Sequence, residues 1–423
     1  MEKPDRRWVE WAKNVLIVLL TLSAVFLLTK TPLVQDSGLV NLFQAPKASG
    51  APASGAAGGG PVLPARMAVY RDGARCGLQY DDDRVSELFA ALGPLLGDAL
   101  AAAEEPWSIT EAAWRGYLRT PGICFDFDGG LPLAALCLWL GDDGPCALSG
   151  SARRVLLAAG EGDQVLLCWQ DADSGGFFAC DTALSHALHI ESAIAGVDTN
   201  GALFAFEDPS LPARLDPYTL IAEGGTEGTR YSASNPLTAS ANAQAVLDSL
   251  SFNSQNHAPG SSGEVYLDGG DRLVVGGGGT VTYRAAQGDK YPVGPGASGA
   301  ADGARSLAEQ VMAPLCGDAR LALSSVQPWQ EDGWRVRFHY RLNGAAVYLY
   351  NEGWAAEFFI QDGYITDFTL HLRSYTAGES GVPLPPVGRA AVMLPDVTDE
   401  TRELVIRFRD WGGASVAPGW VGV

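Results

Sequence analysis

A chain of 423 residues that is 47% hydrophobic and only 18% charged has ample apolar material for two or three folded domains, which excludes a disordered stalk. Its 29 Lys and Arg stand against 49 Asp and Glu, a formal net charge of −20 at pH 7. Nucleic acid is thereby excluded as a partner, because phosphate backbones are held by neutralising Lys and Arg, and teichoic acids and anionic lipid head groups are disfavoured by the same electrostatics.

In chain order, the first element is Asn14 to Thr29 (NVLIVLLTLSAVFLLT), which carries no charge between Lys13 and Lys30. The aliphatic stem of Lys30 and the indoles of Trp8 and Trp11 extend it toward the roughly 17–25 residues of a spanning segment, so a transmembrane helix is assigned to 14–30. Lys3, Arg6, Arg7 and Lys13 precede it, and no Lys or Arg follows Lys30 until Lys47. The positive-inside bias therefore makes 1–13 a cytoplasmic tail of a single-pass cell-membrane protein and places the rest outside. A cleaved signal peptide has the same charge layout but needs an A-x-A pattern after the apolar run; Leu27-Leu28-Thr29-Lys30-Thr31-Pro32 offers none, and a retained anchor is expected. Within the span, Leu16, Leu20, Ser23 and Leu27 are spaced four, three and four apart and share one helix side. This is the candidate partner-binding face, with Ser23 as its polar group. A leucine-rich span also yields such stripes by chance.

Residues 31–61 read as a spacer, since Ala45 to Pro61 (APKASGAPASGAAGGGP) is almost wholly Ala, Gly, Pro and Ser. A first outer α+β domain is expected over 62–230. It has a strand at Ala68 to Tyr70, then a helix in which Val85, Leu88, Leu92, Leu95 and Ala99 recur at helical spacing and which Pro94 kinks or divides. Short strands follow at Val155 to Ala158, Val165 to Trp169 and Phe177 to Ala179. A helix-plus-meander domain is expected over 235–290, with a helix at Ala243 to Leu250 and Gly-rich hairpin turns at 268–271 and 276–279. Tyr291 to Gly303 reads as a linker or long loop. A C-terminal domain over 304–380 opens with a helix from about Arg305, on which Leu307, Val311 and Leu315 share a face. Strands at Trp334 to Arg341, Ala346 to Tyr350, Ala355 to Ile360 and Ile365 to Leu372 are joined at Asn343-Gly344, 351–353 and Asp362-Gly363, the chemistry of hairpins, which predicts an antiparallel sheet of about four strands. Residues 381–423 are expected as a tail with a strand at Glu403 to Arg409.

Each motif that could carry chemistry has a simpler reading. The string Ala172-Asp173-Ser174-Gly175-Gly176 looks like the surroundings of a trypsin-type nucleophile, but all five histidines follow it, whereas that family places its base before; a turn between strands accounts for it. His186 and His189 with Glu191 could offer ligands on one helical turn, yet no third group converges with them. Gly276 to Gly279 lacks the Gly-Lys-Ser/Thr of a phosphate cradle. Asp81-Asp82-Asp83 stands where carboxylates cap a helix N-terminus. The seven cysteines (Cys76, Cys124, Cys137, Cys146, Cys168, Cys180, Cys316) form no C-x-x-C, and several sit among apolar residues, so buried reduced thiols with at most one or two bridges are expected. No catalytic, cofactor or metal residue is assigned.

Several local strings carry a resemblance: Ala179-Cys180-Asp181-Thr182-Ala183, Leu215-Asp216-Pro217-Tyr218, Tyr231-Ser232-Ala233-Ser234-Asn235-Pro236, the meander through Thr280-Val281-Thr282-Tyr283, and Gly353-Trp354-Ala355-Ala356-Glu357-Phe358. With the layout of short tail, single helix and long outer part, the chain resembles the YycH and YycI type membrane-anchored regulators of the WalK (YycG) sensor kinase of Gram-positive bacteria, over nearly all of residues 1–380. The long Ala/Gly spacer departs from that pattern. The resemblance implies a non-enzymatic accessory that adjusts a two-component system for cell-wall homeostasis, with a sensor histidine kinase and a sister anchored regulator as partners. The rival classes are an extracytoplasmic cell-wall or ligand-binding and adhesion module, and a surface hydrolase, which would need convergent carboxylates or a Ser/His pair in a pocket.

Overall fold

The computed structural model describes residues 62–140, 146–222, 227–350, 353–393 and 402–423. The tail, transmembrane helix and spacer expected over 1–61 lie outside them, and among the described residues no helix is long and apolar enough to cross a membrane. The described residues form a mixed α and β fold with several antiparallel sheets.

The first hairpin, β1 (Arg66–Arg71) and β2 (Ala74–Gln79), closes at Asp72-Gly73, where both residues take positive φ (50° and 78°) as a type I′ turn requires. In α1 (Asp82–Ala101), Asp81 caps the first turn by accepting from the Arg84 amide at 3.1 Å, and Val85, Phe89, Leu92, Leu96 and Leu100 form one buried stripe. The helix runs unbroken through Pro94, so the division expected there does not occur. Leu92 and Leu96 on either side are both buried, holding the two halves to one core, and Gly93 leaves room for the Phe89 ring, which a Cβ would approach to 3.1 Å.

The chain continues through β3 (Trp107–Ile109), α2 (Glu111–Tyr117), β4 (Gly122–Pro132), α3 (Leu133–Leu140), β5 (Ser151–Ala159), β6 (Gln164–Asp171) and β7 (Phe177–Ser185). These strands build a seven-stranded sheet in the order β2-β1-β4-β5-β6-β7-β3, antiparallel throughout. Its centre is covered on both faces, by residues of α1 on one and by Trp114, Leu118, Phe204, Tyr218 and Leu220 on the other. That is why β5 and β6 are near-continuous apolar runs and not alternating ones.

Two short strands, β8 (Leu203–Phe204) and β9 (Leu220–Ile221), precede β10 (Glu227–Ser234) and α4 (Ser240–Ser249). Then come β11 (His257–Pro259), β12 (Glu264–Asp268), β13 (Asp271–Val275), β14 (Thr280–Arg284), α5 (Gly296–Met312), β15 (Arg320–Trp329), β16 (Gly333–Leu342), β17 (Ala345–Leu349), β18 (Ala356–Gln361) and β19 (Tyr364–His371). Last are β20 (Ser374–Pro383), α6 (Val387–Val392), β21 (Leu404–Asp410), β22 (Ser415–Val416) and β23 (Pro418–Gly422). An eleven-stranded sheet runs β11-β12-β13-β14-β19-β18-β16-β17-β21-β23, with β15 also on β16, and β20-β10-β22 form a small third sheet. Helices α1, α3 and α5 pack in succession between the two large sheets, and one core takes residues from all of them.

Several boundaries move. The stretches expected as separate domains over 235–290 and 304–380 share one sheet, because β14 pairs with β19 from Thr280↔His371 to Arg284↔Asp367. All described residues belong to one compact unit. The helix expected from Arg305 begins at Gly296, inside the stretch read as a linker, since Ala300, Ala301 and Ala304 extend the buried face of Leu307 and Val311 by two turns. The sheet of about four strands is part of an eleven-stranded one with a parallel pair, β17 with β21, so Leu404–Asp410 is sheet interior and Pro418–Gly422 its edge, not a tail.

Candidate docking surface

The parallel pair β17 and β21 is in register Ala346↔Arg407, Val347↔Phe408, Tyr348↔Arg409 and Leu349↔Asp410. Side chains alternate across a strand. Val347, Leu349, Ile406, Phe408 and Asp410 are buried on the core side, which leaves Ala346, Tyr348, Arg407 and Arg409 on the other. Tyr350 and Trp411 carry that face past the strand ends, their rings 4.2 Å apart between centroids and tilted by 43°. Tyr348 is 44% exposed, Tyr350 51% and Trp411 62%; single exposed aromatics are ordinary, but three on one strip of sheet form a patch. Arg409 is exposed and Arg407 half-buried, and neither has an ion-pair partner among the described residues.

A buried carboxylate holds this strip in place. Asp410 accepts from Arg373 Nε at 2.8 Å and Nη2 at 3.0 Å, from the Tyr375 hydroxyl at 2.8 Å and from the Gly412 amide at 2.8 Å. Its carbonyl takes the Tyr350 amide at 2.9 Å, so the backbone is tied at Tyr350 and on both sides of Trp411. Burial opposes the charge of Arg373, but the Asp410 carboxylate outweighs it and raises the guanidinium above its ordinary value. Burial, then the Asp410 charge, push the Tyr375 phenol far up, so it serves as a neutral donor. Gly353, at φ 77°, lets the Tyr348 ring lie against its backbone; a Cβ there would stand 3.3 Å from the ring.

The polar residues singled out by the sequence motifs, and those of the first sheet's charge cluster, have partners of their own. A small cavity is lined by Arg66, Asp126 and Arg154 among others. Arg154 pairs with Asp126 at 3.0 Å and Glu403 at 2.9 Å, and Arg66 pairs with the same two at 3.2 and 3.1 Å, so these charges bind one another and hold strands together. Ser174 lies in the turn between β6 and β7, its amide and hydroxyl both donating to Asp171 at 2.8 and 2.6 Å. His186 Nε2 is 2.9 Å from the Pro121 carbonyl and His189 Nδ1 is 2.8 Å from that of Ser185. The turn at 276–279 joins β13 to β14. Cys137 and Cys146 form a disulfide, and the other five cysteines are buried and free.

The membrane face of Leu16, Leu20, Ser23 and Leu27 lies outside the described residues. Sequence reasoning missed Tyr348, Tyr350 and Trp411, because aromatic residues in a strand carry the same local signature whether they face core or solvent. The alternation of Leu404 to Trp411, which puts Arg407, Arg409 and Trp411 on one side, was the available signal.

Fold and surface together define an α+β protein whose two large sheets enclose a helical layer. No family model and no curated protein matches the chain by sequence. Its three-dimensional structure is similar to the crystal structure of YycH from Bacillus subtilis, with a TM-score of 0.53 and 11% identity over 85% of this chain and 93% of that one. An uncharacterized protein from Eubacterium rectale ATCC 33656 gives a TM-score of 0.31 at 11% identity, over 48% of this chain and 78% of that one. The chain has a YycH-like fold.

Proposed function

We propose that this chain is a non-enzymatic, membrane-anchored accessory protein that adjusts the output of a sensor histidine kinase through contacts in the membrane and outside it. The observation that carries the reading is the YycH-like fold over 85% of the chain, which agrees with the family that its sequence strings resemble. In this reading the apolar run 14–30 anchors the protein with its N-terminus in the cytoplasm. Leu16, Leu20, Ser23 and Leu27 meet the kinase's membrane helices, and the outer part binds the kinase or a sister anchored regulator. A polar serine between helices contributes roughly 0.6–2 kcal/mol in lipid, enough to bias an equilibrium but not to hold a complex alone.

The test is co-purification of the tagged full-length chain from mildly solubilised membranes, joined to a promoter readout of kinase output. A sensor kinase should be enriched, and replacing the 14–30 span by an unrelated apolar helix should change promoter output at equal display of the outer part. Absence of any kinase from the purified complex, with promoter output unmoved by deletion of the gene, would refute the reading. Added protease should digest the outer part on protoplasts; its protection there would overturn the topology.

A further inference from the structure

We infer that the strip formed by Tyr348, Tyr350, Trp411, Arg407 and Arg409 is the face with which this protein docks an acidic, extracytoplasmic protein domain. The inference rests on the accessory-protein reading above and gives it a surface. Three observations carry it. The strip joins Trp, Tyr and Arg, the residue types whose truncation costs most at protein interfaces, on one side of the β17 and β21 pair. Arg407 and Arg409 have no ion-pair partner among the described residues, although the chain carries 49 acidic residues against 29 basic ones. Cations left without acids in an acidic protein are matched by acids on a partner, which steer encounter and set register. Finally, the Asp410 network fixes the backbone that presents Tyr350 and Trp411 before any partner arrives, so little ordering remains to be done on binding.

Other occupants fit less well. In a twofold dimer through this strip the same patch meets itself, and a strip of Tyr348, Tyr350, Trp411, Arg407 and Arg409 offers the second copy's arginines no acid, between two chains of net charge −20. An anionic membrane surface is recognised by clusters of about four to eight basic residues, and two arginines on so acidic a chain fall short.

The experiment uses the full-length chain in its own membranes, with Tyr350 replaced by the photo-crosslinking residue p-benzoylphenylalanine. The expected adduct contains an Asp/Glu-rich outer segment of another membrane protein. Its yield should fall tenfold or more with Trp411→Ala and with the pair Arg407→Glu and Arg409→Glu, at unchanged display. It should return when the crosslinked acidic residues of the partner are changed to Lys against the charge-reversed pair. An adduct with a second copy of this chain, an adduct with lipid, no adduct, or a yield indifferent to these substitutions would each overturn the inference. The two readings separate cleanly. If a kinase co-purifies with the charge-reversed chain as with the original, this surface is wrong and the accessory role stands. If the charge-rescued partner belongs to no kinase complex, the surface stands and the accessory role falls.

Discussion

Glu403 Oε1 stands 2.9 Å from Arg154 Nη2 and so joins the start of β21 to the centre of the first sheet across 249 positions of chain. Arg66 Nη1 reaches the same oxygen at 3.1 Å, Arg153 binds the other, and the Glu403 side chain is buried. Removing one partner of such a cluster leaves the opposite charges desolvated and unpaired. Glu403→Ala should therefore lower the unfolding free energy by about 3–5 kcal/mol, and Glu403→Gln by less, since the amide oxygen still accepts. Urea unfolding followed by circular dichroism checks the order; equal stability of Glu403→Ala and the original would show that the cluster contributes nothing.

Asp410 supports a different outcome, local in place of global. Asp410→Asn keeps the shape but removes the charge that Arg373 and the Tyr375 hydroxyl address, and we expect a loss of about 1.5–3 kcal/mol. The Gly412 amide also loses its strong acceptor, so hydrogen exchange around residues 410–413 should quicken more than in the core strand β16. Uniform protection across both regions would mean that the carboxylate does not hold the Trp411 turn.

How much of the fold is legible in the sequence depends on whether the decisive partner is near. Asn343-Gly344 (φ 48° and 82°) and Asp362-Gly363 (φ 53° and 80°) are type I′ dipeptides, so local chemistry alone places the strands on either side. The stripe of α1 and its Asp81 cap are equally local. Pairing at long range cannot be read in this way: Thr280 with His371, Ala346 with Arg407, Tyr231 with Ala377. Nothing in those segments names its neighbour, and the expected domain boundaries fall where the real sheet continues. Helix α3 escapes sequence reasoning because Leu133 to Leu140 is apolar all round, as suits an element packed between α1 and α5, and so has no amphipathic period. The docking strip is hidden for the same reason as the long-range pairs, since only the pairing of β17 with β21 brings Tyr348 and Tyr350 beside Arg409 and Trp411.

The thiols give a prediction of chemistry. Burial pushes Cys124 and Cys180 up to about 12 and Cys316 to about 11, and raises Cys76 and Cys168 as well. The thiolate is the nucleophile, so at pH 8 the folded protein should resist alkylation. Iodoacetamide should modify none of the five free cysteines in the native state, five after denaturation, and seven when the Cys137–Cys146 disulfide is also reduced, as counted by intact mass. Rapid native labelling of any of the five would contradict the packing around it.

Glu207 links folding to pH. Burial alone would raise its carboxyl, but the Arg75 side chain, the Phe204 amide at 2.8 Å and Arg119 at 3.4 Å together hold it below the ordinary glutamate value. Arg75 is itself fixed, with its guanidinium over the Phe204 and Tyr70 rings at 4.5 and 5.2 Å and a hydrogen bond to the Leu118 carbonyl at 2.9 Å. A carboxyl depressed in the folded state contributes all of its stabilisation above its unfolded value, where both states are ionised. As pH falls below that value the unfolded chain takes up the proton first and stability declines, until the contribution is gone below the folded value. Glu207→Gln should cost about 1.5–3 kcal/mol at pH 7, because Arg75 and Arg119 lose a charged acceptor. That difference should shrink as pH drops below the ordinary glutamate range, where the original chain also carries a neutral group. Unfolding curves for both proteins at a series of pH values down to the acid limit of folding would show the two stabilities converging. Parallel curves, with the gap unchanged at low pH, would mean that the Arg75 pair contributes through shape alone and that its charge is not felt in folding.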